Sequence, residues 1–531
     1  MELTRLIEAL SAPAAYPHPA GAIEVRQTHI SVVFLAGEYA YKVKKPLDLE
    51  FLDYSIPGRR RHFCEEEVRL NRRLAPDVYL GVVPVARTDG GILVDGPGEA
   101  VEWAVKMVRL PEEATLHARL ERDESGEETL KALARRIAAF HRDAEAGPAI
   151  AEAARYGMVA RNAVENFTQA RPHVGRTLSG AVFGRLTTLT DAALAELRPL
   201  IEDRAERGVP RDTHGDLRLE HVYLFPDRTP PADLAIVDCI EFAERYRHAD
   251  PVADATFLSM DLKSRGRSDL AGTFAEAYIR ASGDTEGRAL WPFYAAYRAA
   301  VRGKVEGLKL AEPEIPEVAR AEALERARAH WLVALGELER PGGRPCLILV
   351  GGLPGTGKST LARALAGRAN FRVVRSDEVR KELAGLGAED RPSSGSFGEG
   401  LYSAEWTERT YAECLSRAET LLFEGKRVLV DANFREEARR RAFLDAADRW
   451  GVPALFLLCR AAPEVVRARL ERRTGDASEA DWSVYREAAA RWEEPGPRVR
   501  RDLRVIFNEE GPDRALDESL DALRELCLLE S

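Results

Sequence analysis

Apolar residues near the start of the chain fall in two short runs, Ile30–Leu35 and Tyr39–Val43, separated by Ala36-Gly37-Glu38. Such runs broken by a glycine predict two strands joined as a hairpin. Arg59–Leu74 takes a helical period, and Val82–Val85, Ile92–Val94 and Val101–Val108 predict further strands. From Leu130 onward helical spacing dominates, interrupted near Asp212–Val222 and Leu234–Val237. A strand-rich beginning followed by a helical remainder predicts an α+β domain with two lobes, about residues 1–110 and 111–340.

The pattern changes at Arg340-Pro-Gly-Gly-Arg-Pro345, where proline and glycine cluster as they do in linkers. Val318–Leu338 before it has helical spacing with mixed charge. After it, Cys346–Val350, Phe371–Val374, Val428–Val430, Ala454–Leu458 and Val505–Phe507 predict strands, with helical patterns between them. That alternation predicts an α/β domain over 341–531, with a parallel five-stranded sheet covered by helices. No internal repeat or low-complexity tract interrupts either part.

Composition narrows the function classes. A chain of 531 residues is too long for one core, and 45% apolar with 31% charged residues is ordinary for a soluble multidomain protein. The net charge of -10 argues against broad nucleic-acid binding, which runs on excess lysine and arginine, but leaves room for a local basic site. Six scattered cysteines without a CxxC pair argue against a disulfide framework or zinc site. Met1–Ala15 lacks the layout of a signal peptide, and no run is apolar and long enough to span a membrane, so a cytoplasmic protein is expected.

Gly352-Leu353-Pro354-Gly355-Thr356-Gly357-Lys358-Ser359, followed by Thr360, matches G-x-x-x-x-G-K-[ST] between an apolar strand and a helical run. Its glycines let backbone amides converge on phosphate oxygens, Lys358 offers a point charge to the β- and γ-phosphates, and the Ser359 hydroxyl suits Mg²⁺. ATP with Mg²⁺ is the expected ligand. Past the second strand, Asp377 could deprotonate an acceptor hydroxyl and Arg380 could bind the acceptor; a helix cap beside a solvated arginine is the plainer alternative. Asp431 ends the third strand, where an acid can assist Mg²⁺ or serve as a turn residue. Arg469, Arg472 and Arg473 precede Thr474–Ser478; they suit a lid that clamps phosphate, or a solvated basic face. Of the three, Arg472 and Arg473 are expected at ATP.

A second constellation lies in the amino-terminal part. In Thr213-His-Gly-Asp-Leu-Arg-Leu-Glu-His221 a loop aspartate, Asp216, could take a proton from a hydroxyl. Asp238 ends the short apolar run Ile236-Val-Asp238 and could hold Mg²⁺ against phosphate.

Both parts carry family resemblances. Residues 345–510 resemble the small P-loop kinases of the gluconate-kinase, zeta-toxin and polynucleotide-kinase type, in which an aspartate activates the acceptor and a lid arginine steadies the transferred group. His214-Gly-Asp216 and Asp238 resemble the catalytic loop and metal-binding aspartate of the aminoglycoside phosphotransferases, relatives of protein kinases. That resemblance implies a phosphate-gripping role for Lys42, an ion-pair partner in Glu67, and a metal ligand at the position of His221. The family has asparagine there, and imidazole is a poor Mg²⁺ ligand; the family's glycine-rich loop is also lacking. Lys44, on the same strand face as Lys42, could replace it. The whole resembles bifunctional aminoglycoside phosphotransferase/ATP-binding proteins. It implies two kinase-like modules transferring phosphate to a hydroxyl of a small polar metabolite, of sugar or aminosugar class. Alternatives are a P-loop kinase with a regulatory pseudokinase, a kinase for nucleic-acid 5′-hydroxyls or nucleotide-sugars, and a non-enzymatic scaffold.

Overall fold

The computed structural model describes residues 2–49, 52–312, 315–387, 400–472, 481–509 and 511–530. By compactness the chain forms two units: residues 1–160, 197–261 and 269–291, and residues 161–196, 262–268 and 292–531. The Pro/Gly stretch expected as a linker lies inside the second unit. The helix before it, Glu317–Leu338, buries Trp331, Leu332, Val333, Ala334 and Leu335 in succession, so its last turns are enclosed all round while its first turns carry exposed charge. Within that unit it packs on the helix Glu437–Arg449.

The first unit opens on a six-stranded sheet in which every neighbouring pair is antiparallel. Across the sheet run Glu24–Gln27, Ser31–Ala36, Tyr39–Lys44, Glu99–Val108, Tyr79–Thr88 and Gly91–Val94. The strand Glu24–Gln27 is not legible in the sequence because it is an exposed edge of polar residues. Alternation fixes the chemistry of Tyr39–Lys44. Tyr41 and Val43 join the core with Phe34, Leu6 and Leu10. The period of two sends Lys42 and Lys44 to the other face, toward Glu67 of the helix Pro57–Asn71. That helix packs on the strands Glu99–Val108 and Tyr79–Thr88. The remainder of this unit is mainly helical, with the hairpin Val222–Leu224/Leu234–Ile236 carrying Asp238 just beyond its end.

The second unit contains a five-stranded, wholly parallel sheet. Its order is Arg372–Arg375, Arg427–Asp431, Cys346–Gly351, Ala454–Arg460 and Leu503–Phe507, so the first strand in sequence is the middle one. Cys346–Gly351 is buried along its whole length. Ile348 and Val350 pack with Leu361 and Leu365 of the helix Lys358–Ala369 and with Leu523 of Pro512–Glu525. Chain order reverses direction around the middle strand, and such a switch point opens a crevice at the carboxyl edge. The two-domain α+β and α/β architecture expected from the sequence is the observed one. Five of the six cysteines are buried and all are free. Among the described residues no helix is long and apolar enough to cross a membrane.

A buried carboxylate ties two helices of the second unit. Glu306 on Trp291–Lys309 meets Arg302 at 2.7 Å, Lys309 at 2.9 Å and Arg326 of Glu317–Leu338 at 3.2 Å. Burial opposes its charge, but the three cations hold its pKa down at about 2. A depressed carboxylate stabilises the fold above its unfolded pKa and loses that contribution as pH falls toward its folded value. Glu306→Gln is expected to lower stability at pH 7 by about 3 kcal/mol. The gap to the parent should close as pH drops from about 4.5 to 2, followed by urea denaturation at each pH. A gap independent of pH would contradict this account.

Candidate functional site

The carboxyl edge of the parallel sheet gathers residues far apart in sequence. Gly352, Gly355 and Gly357 of the loop after Cys346–Gly351 all take positive φ. At Gly357, φ +91°, a Cβ would also collide with the Asn508 side chain, so only glycine fits. The loop is anchored from three sides. Gly352 N–H donates to the Asn433 carbonyl at 3.1 Å, the Thr356 hydroxyl donates to the Leu353 carbonyl at 2.8 Å, and Asn508 Nδ2 donates to the Thr356 carbonyl at 2.9 Å. The helix then begins at Lys358, with its free N–H groups and positive dipole end at the loop. Thr360 is exposed on its first turn.

Register sets Asp431 beside Val350 on one side and Arg375 on the other. Arg375 Nε donates to Asp431 Oδ2 at 3.3 Å. Burial raises the Asp431 pKa, and Lys358, a Ser359 hydrogen bond and Arg375 pull it back. Despite the nearness of Ser359, Asp431 Oδ1 is buried with no hydrogen bond of ordinary geometry. A buried carboxylate oxygen left over beside a hydroxyl is an all-oxygen donor set, which fits the hard Mg²⁺ ion. Three residues on, Phe434 holds φ +48°, unusual for a bulky residue, and donates its N–H to the Tyr411 hydroxyl at 3.0 Å.

Asp377 lies in the first turn of the helix Ser376–Leu383, not in a loop. Arg380 Nη1 donates to Asp377 Oδ1 at 3.1 Å, and its guanidinium sits 4.8 Å from the Tyr402 ring centre. Arg380 is only 7% exposed and its Nε has no partner, so it is not a solvated surface arginine. Of the three lid arginines, Arg469 reaches the phosphate loop. Its Nη2 donates to the Asn508 carbonyl at 2.7 Å, and its Nη1 is buried without a partner, 3.8 Å from where a Gly357 Cβ would stand. Arg472 is exposed at the C-cap of Pro463–Glu471, and Arg473 lies outside the described residues. The helix ends between Arg469 and Arg472: Arg469 stands in its last turn, and Arg472 lies beyond it as the C-cap. Asn508 escaped sequence reading. Its one signal is a polar residue directly after the last apolar strand, at the ligand-gathering edge.

The amino-terminal cluster is assembled as expected but bonded differently. Lys42 Nζ lies 2.8 Å from both Glu67 Oε1 and Asp238 Oδ1. Lys44 does not replace Lys42: it is fully buried, pairs with Glu67 Oε2 at 2.8 Å, and contacts Glu241, which also accepts from Tyr54. Burial disfavours the Lys42 charge, but Asp238, Glu67 and Glu241 together hold its pKa well above the usual value. Burial likewise opposes the Asp238 charge, and Lys42 and His221 draw its pKa far down.

The loop carrying Asp216 is held by Asp254, which accepts from the His214 N–H at 3.1 Å, the Gly215 N–H at 2.7 Å and His141 Nε2 at 3.0 Å. Gly215 has φ +86°, and a Cβ there would press on the Tyr246 carbonyl at 3.1 Å. His214 stands 3.0 Å from the Val237 carbonyl through Nε2 and accepts from the Asp216 N–H at 3.4 Å through Nδ1, the pattern of a neutral ring. Burial pushes its pKa down to about 4, in agreement. His221, named from its position as a metal ligand, has both nitrogens engaged: Nδ1 lies 2.8 Å from the Asp216 carbonyl, and Nε2 lies 2.9 Å from Arg218 Nη2. This donor set does not fit Mg²⁺.

The placement of Arg469 is testable. Arg469→Ala should weaken ATP binding about tenfold or more, as loss of a charge-assisted contact does. Arg472→Ala should change it less than about twofold. Titration calorimetry with ATP reads both, and equal effects would remove the distinction.

Comparison with known proteins agrees with the carboxy-terminal architecture. The family described as AAA domain (AAA_33) matches residues 347–495. Among solved structures, a gluconokinase from Sinorhizobium meliloti 1021 is 18% identical with a TM-score of 0.25, covering 36% of this chain and 95% of its own. The GDP complex of wild-type aminoglycoside 2′-phosphotransferase-IIIa is 15% identical with a TM-score of 0.39, covering 59% of this chain and 94% of its own. The Mycobacterium tuberculosis protein Rv2004c and the Mycobacterium bovis protein Mb2027c are each 35% identical over 470 residues, 88% of this chain and 90% of theirs. The chain therefore belongs to the family of these mycobacterial proteins, with a P-loop-type module at its carboxy-terminal end.

Proposed function

We propose that the protein is an ATP-dependent phosphotransferase whose carboxy-terminal module transfers the γ-phosphoryl group to a hydroxyl of a small polar metabolite. The observation that carries this reading is the pairing, at one sheet edge, of a phosphate loop with two unsatisfied buried groups, Asp431 Oδ1 and Arg469 Nη1. Loop amides, Lys358 and Arg469 would hold the phosphates. Ser359 and Asp431 would hold Mg²⁺, which when bound supplies charge neutralisation at the phosphate oxygens. Asp377 would accept the acceptor's hydroxyl proton as the new oxygen–phosphorus bond forms and the bond to the β-phosphate oxygen breaks. Arg380, steadied by Asp377 and Tyr402, would bind the acceptor. Sugars or aminosugars are the acceptors whose hydroxyls these polar side chains would suit.

The amino-terminal module reads best as a second, kinase-like phosphate-binding domain. Its Lys42–Glu67 pair and its Asp216 and Asp238 support that reading, while the engagement of Asp216 by Arg218 favours a regulatory rather than a transferring role. A kinase for nucleic-acid ends is disfavoured by Arg440, which is fully buried on the Phe434 and Arg435 carbonyls instead of joining Arg439 and Arg441 in a surface patch.

Incubation with ATP and a metabolite extract, scanned for masses raised by one phosphate, tests the assignment. Lys358→Ala and Asp377→Ala should each cut product formation by about a hundredfold or more. Asp216→Ala should leave it within about threefold. Loss of product with Asp216→Ala alone would assign the chemistry to the other module.

A further inference from the structure

Asp216, His221 and Asp238 offer ligand atoms that all lie within 4.8 Å of one another, spacing that would suit a metal ion. Each is nevertheless committed to a group of the protein. Arg218 Nε donates to Asp216 Oδ2 at 3.0 Å, and its Nη2 donates to His221 Nε2 at 2.9 Å. The remaining Nη1 meets Glu220 Oε2 at 3.2 Å, exposing only 15% of the side chain. His221 cannot turn its other nitrogen to a metal, because Nδ1 lies 2.8 Å from the Asp216 carbonyl and donates there. Asp238 gives Oδ1 to Lys42 at 2.8 Å and keeps Oδ2 3.5 Å from His221 Nε2.

The planar guanidinium thus bridges two of the three ligands, and Lys42 closes the third. A divalent cation placed among them would sit within a few ångströms of two fixed positive charges, Arg218 and Lys42, an unfavourable contact. It would also have to displace Arg218 from His221 to gain a nitrogen ligand that Mg²⁺ does not favour. A guanidinium pairs with phosphate oxygens as readily as with carboxylate.

We propose that Arg218 stands in for a divalent cation at this cluster, so that the amino-terminal pocket takes the phosphate tail of a nucleotide as the free anion, without metal. The second clause rests on the reading of this module as a phosphate-binding domain; the first does not.

Mn²⁺ titration of the nucleotide-free full chain, followed by electron paramagnetic resonance of the free ion, tests the first clause. Asp238→Asn should leave the number of bound ions unchanged. Arg218→Met should add one, and Arg218→Met with Asp238→Asn should remove it again. Arg218→Lys, which keeps a cation and the fold, should add none. Loss of an ion with Asp238→Asn alone, or no gain in folded Arg218→Met or Arg218→Gln, would overturn the proposal. ATP binding to the Lys358→Ala chain tests the second clause. Affinities in EDTA and in Mg²⁺ should agree within about threefold and fall together with Lys42→Met. Binding that needs Mg²⁺ would overturn the metal-free assignment. Absence of binding in both conditions would instead overturn the phosphate-binding reading of the module, with the Mn²⁺ count still deciding the role of Arg218.

Discussion

A carboxylate removed from water must be met by a cation or by hydrogen bonds, and both candidate sites are organised by that demand. At the parallel sheet the demand is met only in part. Arg375, Lys358 and Ser359 surround Asp431, yet one of its oxygens stays unsatisfied. In the antiparallel unit it is met by ion pairs: Lys42 and Lys44 bracket Glu67, Lys44 also reaches Glu241, Lys42 reaches Asp238, and Arg218 reaches Asp216. The same chemistry leaves a carboxylate oxygen unpaired at one site and ties the acids of the other to cations of the chain.

Neither arrangement depends on the charged residues alone. Arg375 and Asp431 meet because two parallel strands share a register, and the phosphate loop is placed by the middle strand between them. Asn508 then links the loop to the last strand and, through its carbonyl, to Arg469. In the other unit Asp254 fixes the backbone before Asp216 by accepting two successive N–H groups, while Gly215 supplies the φ that brings them into line. Anchors of this kind limit the freedom of the side chains at each site and reduce the entropy lost on binding.

The contrast also bears on a division of labour. A P-loop with an open carboxylate is suited to chemistry at a metal–nucleotide complex. A pocket whose acids already hold arginine and lysine would have to exchange those pairs for a ligand's phosphate oxygens before it could report on an anion. Two such modules in one chain would let nucleotide occupancy of one influence turnover at the other, the form in which a kinase-like fold serves regulation.

Period and punctuation made much of the architecture legible. Strand and helix patterns located nearly every element of both sheets, and the loop Gly352–Ser359 was legible as a glycine-rich turn between a strand and a helix, because a tight turn can be written locally. The edge strand Glu24–Gln27 was not legible, since an exposed edge has no apolar face to show. The limits of the compact units were not either, because the Pro/Gly stretch marks a break in secondary structure while burial around Trp331 decides what packs with what. The family resemblance implied that Asp216, His221 and Asp238 share one site, and their ligand atoms do lie within 4.8 Å of one another. Only the tertiary structure decided that Arg218 fills it, that Arg469 rather than Arg472 faces the phosphate loop, and that Lys44 lies behind Lys42. Those outcomes turn on which way a side chain points and what already bonds to it, and spacing along a chain carries neither.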